Sequence, residues 1–60
     1  MDPNATRQRV LKLAAEIRGT HLDDVGELAE LGVDLAYAIQ DLDDWITAGG
    51  FLPRAWTKEG

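Results

Sequence analysis

The side chains of this sequence with the most chemical potential are carboxylates, and they are concentrated between His21 and Ala48. The stretch contains eight of them and no Lys or Arg. They are Asp23, Asp24, Glu27, Glu30, Asp34, Asp41, Asp43 and Asp44. Carboxylates can ligate a metal ion, act as a general acid or base, or bind a cationic partner. The residues that accompany them decide between these roles.

Metal binding and catalysis both lack the companion residues they need. His21 stands three residues before Asp24, whereas a di-iron bundle uses Glu-x-x-His pairs in the opposite order. The chain contains no Cys and no Ser, so acyl and thiol chemistry have no candidate residue set. We therefore predict a protein that is not an enzyme, with no metal site, no catalytic residues and no cofactor.

Binding is the remaining role for the carboxylates. Glu27, Asp34 and Asp41 recur every seven residues, which places them along one line of a helix. Three further residues lie beside that line and complete a predicted partner-binding face, called here the acidic surface. It comprises Glu27, Glu30, Asp34, Tyr37, Asp41 and Asp44. Such a rod of charge fits a basic protein surface, such as a groove that binds nucleic-acid phosphates.

A simpler interpretation of the acidic surface is a solvated helix face. Residues 1–20 carry a net charge of +2, residues 21–48 carry −8 and residues 49–60 carry +1, consistent with the total of −5. The basic residues of the first segment offer an offset within the chain. They are Arg7, Arg9, Lys12 and Arg18.

Direct nucleic-acid binding is not expected. Residues 27–34 resemble the turn of a helix-turn-helix, but Ala29 lies three residues before Gly32, where that motif places a small residue four before its glycine. The segment that would read DNA, residues 34–45, carries only negative charge, and contact with phosphates depends on Lys and Arg.

The sequence predicts two helices joined by a very short connection. Asp2 and Pro3 are typical of a helix start, and Gly19 is a typical left-handed terminator. Thr20, followed three residues later by Asp23, resembles a capping box for the second helix. The predicted helices span about residues 3–18 and 21–48, and together with a tail over residues 49–60 they form a single all-α domain. Gly32 either allows close helix approach, which we prefer, or breaks the second helix.

The predicted lengths leave part of the second helix without cover. Helices of roughly 16 and 28 residues span about 24 and 42 Å, and a 60-residue core is marginally stable. We expect the overhang to be buried by the tail and by a second copy, giving a homodimeric helical bundle. The predicted dimer interface consists of Leu28, Leu35, Ile39, Leu42 and Ile46.

The C-terminal block resembles a known ending. Residues 42–56 run LDDWITAGGFLPRAW and are similar to the tail of small uncharacterised helical proteins from actinobacteria and their phages. The resemblance covers about a quarter of the chain and implies no activity. It implies a structural tail latch, formed by Trp45, Phe51, Leu52 and Trp56, and a phage-encoded protein directed at a host.

These observations predict a protein-interaction module that binds or inhibits a basic host protein through the acidic surface. A structural or assembly subunit of a larger complex is one alternative, and an oligomer that sequesters a small molecule is another. The N-terminal residues lack a signal-peptide pattern and no apolar run approaches a membrane span. We therefore expect no membrane partner and a cytoplasmic location, in the bacterial host if the protein is phage-encoded.

Overall fold

In the described part of the chain, residues 1–57 of a computed structural model, helices are the only regular secondary structure. Helix α1 covers Pro3–Gly19 and helix α2 covers Val25–Thr47. The two pack against each other, and a single 3₁₀ turn follows at Arg54–Trp56. The predicted helical hairpin is confirmed. The last three residues of the predicted tail, 58–60, lie outside the described range.

Helix α1 begins where its sequence predicts. The Asp2 carboxylate accepts hydrogen bonds from the N–H groups of Asn4, at 3.0 Å, and Ala5, at 3.4 Å. Pro3 occupies the first helical position, where its missing N–H costs nothing. Both prolines of the chain, Pro3 and Pro53, are fully buried.

The connection between the helices differs from the prediction. Thr20 does not begin α2, because its hydroxyl donates to the Glu16 carbonyl at 2.6 Å and its N–H to the Ile17 carbonyl at 3.2 Å. Thr20 therefore ends α1. Asp24 caps α2 instead, accepting the Glu27 N–H at 3.2 Å, so α2 starts four residues later than predicted. Gly19 belongs to α1 and does not adopt a left-handed conformation.

Helix α2 ends in a Schellman motif. The N–H of Gly50 donates to the Trp45 carbonyl at 2.8 Å, and the N–H of Gly49 to the Ile46 carbonyl at 3.0 Å. Gly49 has a φ of +99°, the left-handed conformation that this motif requires and that glycine adopts without strain. Here the prediction that Gly49 and Gly50 mark the end of the helix is confirmed.

Gly32 neither breaks α2 nor brings it close to α1. The helix continues through it, its surface is exposed, and a Cβ added there would meet nothing within 4 Å. The preferred interpretation, close approach of the two helices at Gly32, is therefore wrong for the hairpin.

The core is a narrow seam between the helices. Leu13 on α1 and Ala38 and Leu42 on α2 are its buried apolar residues. The half-buried residues of α2 recur at the same three- and four-residue spacing, as a helix packed along one stripe requires. They are Leu28, Leu31, Leu35, Trp45 and Ile46.

The hairpin forms a single thin layer. Its principal extents are 42, 25 and 13 Å, and its radius of gyration is 13.4 Å, where a compact chain of this length has about 10 Å. From their residue numbers, α1 spans about 26 Å and α2 about 35 Å. The overhang of α2 is thus about 9 Å, roughly half of what the sequence predicts.

Candidate interaction surfaces

All six residues of the acidic surface lie on α2 and all are exposed. Because α2 is unbroken, Glu27, Asp34 and Asp41 remain on one line with a spacing of about 10.5 Å. The Tyr37 side chain is 64% exposed on the same side. The surface is therefore a straight rod of carboxylates with one aromatic ring near its middle.

The basic residues of α1 make no ion pair with this rod. Among residues 1–57, the only approach of a basic nitrogen to a carboxylate within 4 Å joins His21 Nδ1 to Asp23 Oδ2, at 3.5 Å. That Nδ1 also accepts the Asp23 N–H at 3.2 Å, so it acts there as an acceptor. The fold thus provides no direct pairing of the rod with α1, and a solvated helix face stays the alternative interpretation of its charge.

Helical geometry explains why the opposite charges do not meet. Viewed down the axis of α1, Arg7 and Arg18 project to one side of the seam, Arg9 projects to the other side, and Lys12 projects away from α2. Arg9 and Lys12 border a shallow depression with Leu13 and Glu16 on the outer surface of α1. The four basic side chains are thus spread around α1, whereas the carboxylates of the acidic surface share one side of α2.

Val33 lies beside the acidic surface, although the six residues predicted for that surface do not include it. It is 54% exposed and, with Ala29, Glu30 and Asp34, lines an open depression on α2. The sequence indicates this placement, because Val33 stands four residues before Tyr37 and residues four apart share a helix face. The surface therefore combines charge with an apolar strip.

The tail folds back over the end of the hairpin. Trp45 donates its indole N–H to the Phe51 carbonyl at 2.9 Å, and the two rings meet edge to face with their centroids 5.5 Å apart. The Arg54 N–H then donates to Asn4 Oδ1 at 2.6 Å. This bond joins the tail to the first turn of α1, a contact the sequence analysis missed and for which the sequence holds no local signal.

Trp56 lies on the other side of α2 from the Trp45 ring. It borders a pocket with Ile39, Leu42, Asp43 and Ile46, whereas Trp45 borders a separate pocket with Thr6, Asp41 and Asp44. The only aromatic ring pair in the described residues is Trp45 with Phe51. Of the predicted latch, Trp45 and Phe51 contact each other, Leu52 is exposed, and Trp56 covers α2 separately.

Trp56 borders an uncovered surface, called here the apolar face, on the side of the hairpin away from the acidic surface. It is assembled from both helices and the 3₁₀ turn, and it comprises Leu11, Val25, Leu28, Gly32, Ile39 and Trp56. All but the half-buried Leu28 are exposed. Within residues 1–57, the tail covers the end of this face near Ile39 and leaves the end near Val25 uncovered.

The predicted dimer residues divide between the seam and the apolar face. Leu42 is only 3% exposed because it lies in the chain's own core, so it offers no surface to a second copy. Leu28, Leu35 and Ile46 are half-buried. Ile39 alone of the five is largely open to solvent, at 48%. Dimerisation itself stays a prediction.

Two further features bear on function. In residues 1–57, no group of three or more His, Asp or Glu side chains is arranged to hold a metal ion. None of the described helices is both long and apolar enough to cross a membrane.

Comparison with known proteins adds no relative. No protein-family model, curated protein or solved structure matches this chain.

Proposed function

We propose that this chain is a non-enzymatic interaction module whose acidic surface binds a basic surface on another protein. The observation that carries the proposal is the lack of any Lys or Arg within ion-pair distance of these carboxylates in residues 1–57. Like charges one turn apart on a helix cost roughly 0.2–0.5 kcal/mol per pair. A binding partner that supplies cations converts that cost into affinity.

The apolar component of the surface gives the partner something to recognise besides charge. Tyr37 and Val33 are one helical turn apart and both more than half exposed. Aromatic residues are enriched among the side chains that dominate binding energy, and surrounding charges act mainly on association rate and specificity. The fitting partner therefore carries an apolar cleft flanked by Lys or Arg side chains.

The length of the surface sets the scale of the partner site. Glu27 and Asp44 are the terminal members of the rod and lie about 26 Å apart along the helix axis. A groove of that length with basic edges suits a helix laid along it, one of the recurrent modes of protein recognition. The tail's resemblance to phage proteins favours a partner in the cytoplasm of a bacterial host.

The experiment compares three forms of the full chain as bait in an actinobacterial lysate, with captured proteins quantified by mass spectrometry. The first is the natural chain and the second carries Asp34→Lys and Asp41→Lys. The third, a matched control, carries Glu16→Lys and Asp23→Lys. These control residues are exposed and lie outside the acidic surface, and the net charge changes equally in both variants.

We expect at least one basic protein to be captured by the natural chain and by the control, and lost with Asp34→Lys plus Asp41→Lys. The same protein should elute as salt rises from 0.1 to 1 M, because the screening length falls from about 10 to 3 Å. Equal capture by both variants would show that any binding depends on net charge alone and would refute the proposal. If circular dichroism shows that Asp34→Lys plus Asp41→Lys has lost helicity, the capture experiment is repeated with Tyr37→Ala in its place.

A further inference from the structure

The hairpin has the architecture of one half of a bundle. Stable domains bury an apolar stripe between at least two packed layers, whereas this molecule is a single layer 13 Å thick in its Cα trace. Its two open sides differ in kind. One bears the acidic surface, and the other bears the apolar face. Only the second is suited to burial against another layer.

The hairpin exposes more surface than a compact monomer of its mass. The accessible surface of the chain is 4527 Å², where a compact monomer of 6.6 kDa exposes about 3,900 Å². The excess, roughly 600 Å², is of the order of the ~800 Å² that each partner buries in a standard interface. A second copy of this chain would therefore restore an ordinary balance of buried and exposed surface.

The relief of the apolar face fits a copy of itself in one orientation. The 3₁₀ turn, with Trp56 49% exposed, raises the end near Ile39. At the other end, Gly32 has no side chain, and an added Cβ would meet nothing within 4 Å in the described part of the chain. A two-fold axis perpendicular to the helices sets the raised end of each copy over the bare end of the other.

From this fit we propose that the apolar face is a self-association surface, on which a second copy docks antiparallel with Trp56 seated over the partner subunit's Gly32. The dimer is a four-helix arrangement with both acidic surfaces outward. The proposal does not depend on the proposed function, because it concerns the opposite side of the hairpin.

The test is sedimentation equilibrium of the full chain over a wide concentration range, beginning with Gly32→Glu and its control Gly26→Glu. Both glycines are exposed helical positions with open space for a side chain, but Gly26 points away from the apolar face. We expect the natural chain and Gly26→Glu to reach the mass of two chains. The dimer of Gly32→Glu should have a dissociation constant about tenfold higher, or more, than that of the natural chain.

The orientation is tested by NMR on a mixture of two forms of the chain, one labelled with ¹⁵N and the other carrying a nitroxide on His21→Cys, since the natural chain contains no Cys. In the antiparallel arrangement the nitroxide lies near the partner subunit's Trp56 and should broaden its indole N–H signal. A natural chain that stays monomeric, an equal effect of Gly32→Glu and Gly26→Glu, or open-ended association would each overturn the proposal. An unbroadened Trp56 signal in the mixed dimer would overturn the antiparallel arrangement.

Discussion

At the scale of single residues, Gly50 has the strictest steric requirement among the described glycines. A Cβ built on Gly50 would overlap the indole ring of Trp45. That ring is fixed by its hydrogen bond to the Phe51 carbonyl and by its edge-to-face contact with the Phe51 ring. The backbone approaches the ring so closely only because the residue has no side chain.

Replacing Gly50 with alanine should therefore destabilise the chain by about 1–3 kcal/mol, the usual cost of forcing extra atoms into a packed site. Thermal unfolding followed by circular dichroism measures the loss, and tryptophan fluorescence reports displacement of Trp45. Gly19→Ala is the matched control, because Gly19 is exposed and a Cβ there meets nothing within 4 Å. Equal midpoints for the two variants would show that Trp45 does not lie against Gly50.

The caps give a second prediction at this scale. Asp2→Ala removes the acceptor for the N–H groups of Asn4 and Ala5 and should cost about 1 kcal/mol in the free energy of unfolding. Asp2→Asn should retain most of the stability, because the asparagine side chain also accepts these bonds. Urea titration of both variants measures the difference, and an equal loss in the two would contradict capping as the cause.

At the scale of elements, the contact that organises the tail is the bond between Arg54 N–H and Asn4 Oδ1. It joins residues fifty positions apart and is the one side-chain hydrogen bond in residues 1–57 that connects the tail to α1. Pro3 and Pro53, each adjacent to one partner of this bond, are fully buried. The tail is thus held at two points, by Trp45 on α2 and by Asn4 on α1.

Asn4→Ala should release the second point while leaving the Trp45 contacts in place. A hydrogen bond of this kind contributes about 0.5–1.5 kcal/mol, so we expect roughly a tenfold faster exchange of the Arg54 amide and a small loss of global stability. Hydrogen exchange followed by NMR measures the amide directly. Asn4→Asp keeps an acceptor and should retain the protection. Unchanged exchange in Asn4→Ala would show that the bond does not hold the tail.

The elements were predictable where one residue type determines the outcome. Asp2 before Pro3 and the pair Gly49-Gly50 have few alternative conformations, and both ends were placed correctly. The connection was not, because Thr20 and Asp24 can each cap a helix and local sequence does not rank them. The Thr20 hydroxyl donates to the Glu16 carbonyl and so does not cap α2. Helix α2 and its overhang are therefore shorter than predicted.

At the scale of the whole molecule, the two sides of the hairpin have separate characters. The acidic surface lies on one side and the apolar face on the other, so the proposed binding of a basic partner and the proposed self-association use separate areas. The sequence predicted that the six residues of the acidic surface share one side of a helix, because a seven-residue repeat fixes a helix face. It could not show that α1 leaves them unpaired, since that depends on where Arg7, Arg9, Lys12 and Arg18 point after packing.

Because its carboxylates are unpaired, the acidic surface should lower the stability of the chain while favouring the binding of a basic partner. Glu30 with Asp34, and Asp41 with Asp44, are like charges one turn apart. Asp34→Lys plus Asp41→Lys turns both into attractive pairs, so the variant should be more stable than the natural chain by about 1 kcal/mol at low salt. Urea unfolding should show the gain shrink as sodium chloride is raised toward 1 M, because these exposed pairs are screened.

The control separates this local effect from net charge. Glu16→Lys plus Asp23→Lys changes the net charge equally, but Glu16 lies one turn from Lys12, so its replacement creates a repulsive pair and should bring no gain. If reversing these charges makes the chain more stable, the natural charges do not serve folding. Residues at binding sites commonly carry such a cost in stability. Equal stability of the natural chain and the Asp34→Lys, Asp41→Lys variant at low salt would remove that reasoning, leaving the acidic surface without an energetic argument for a partner.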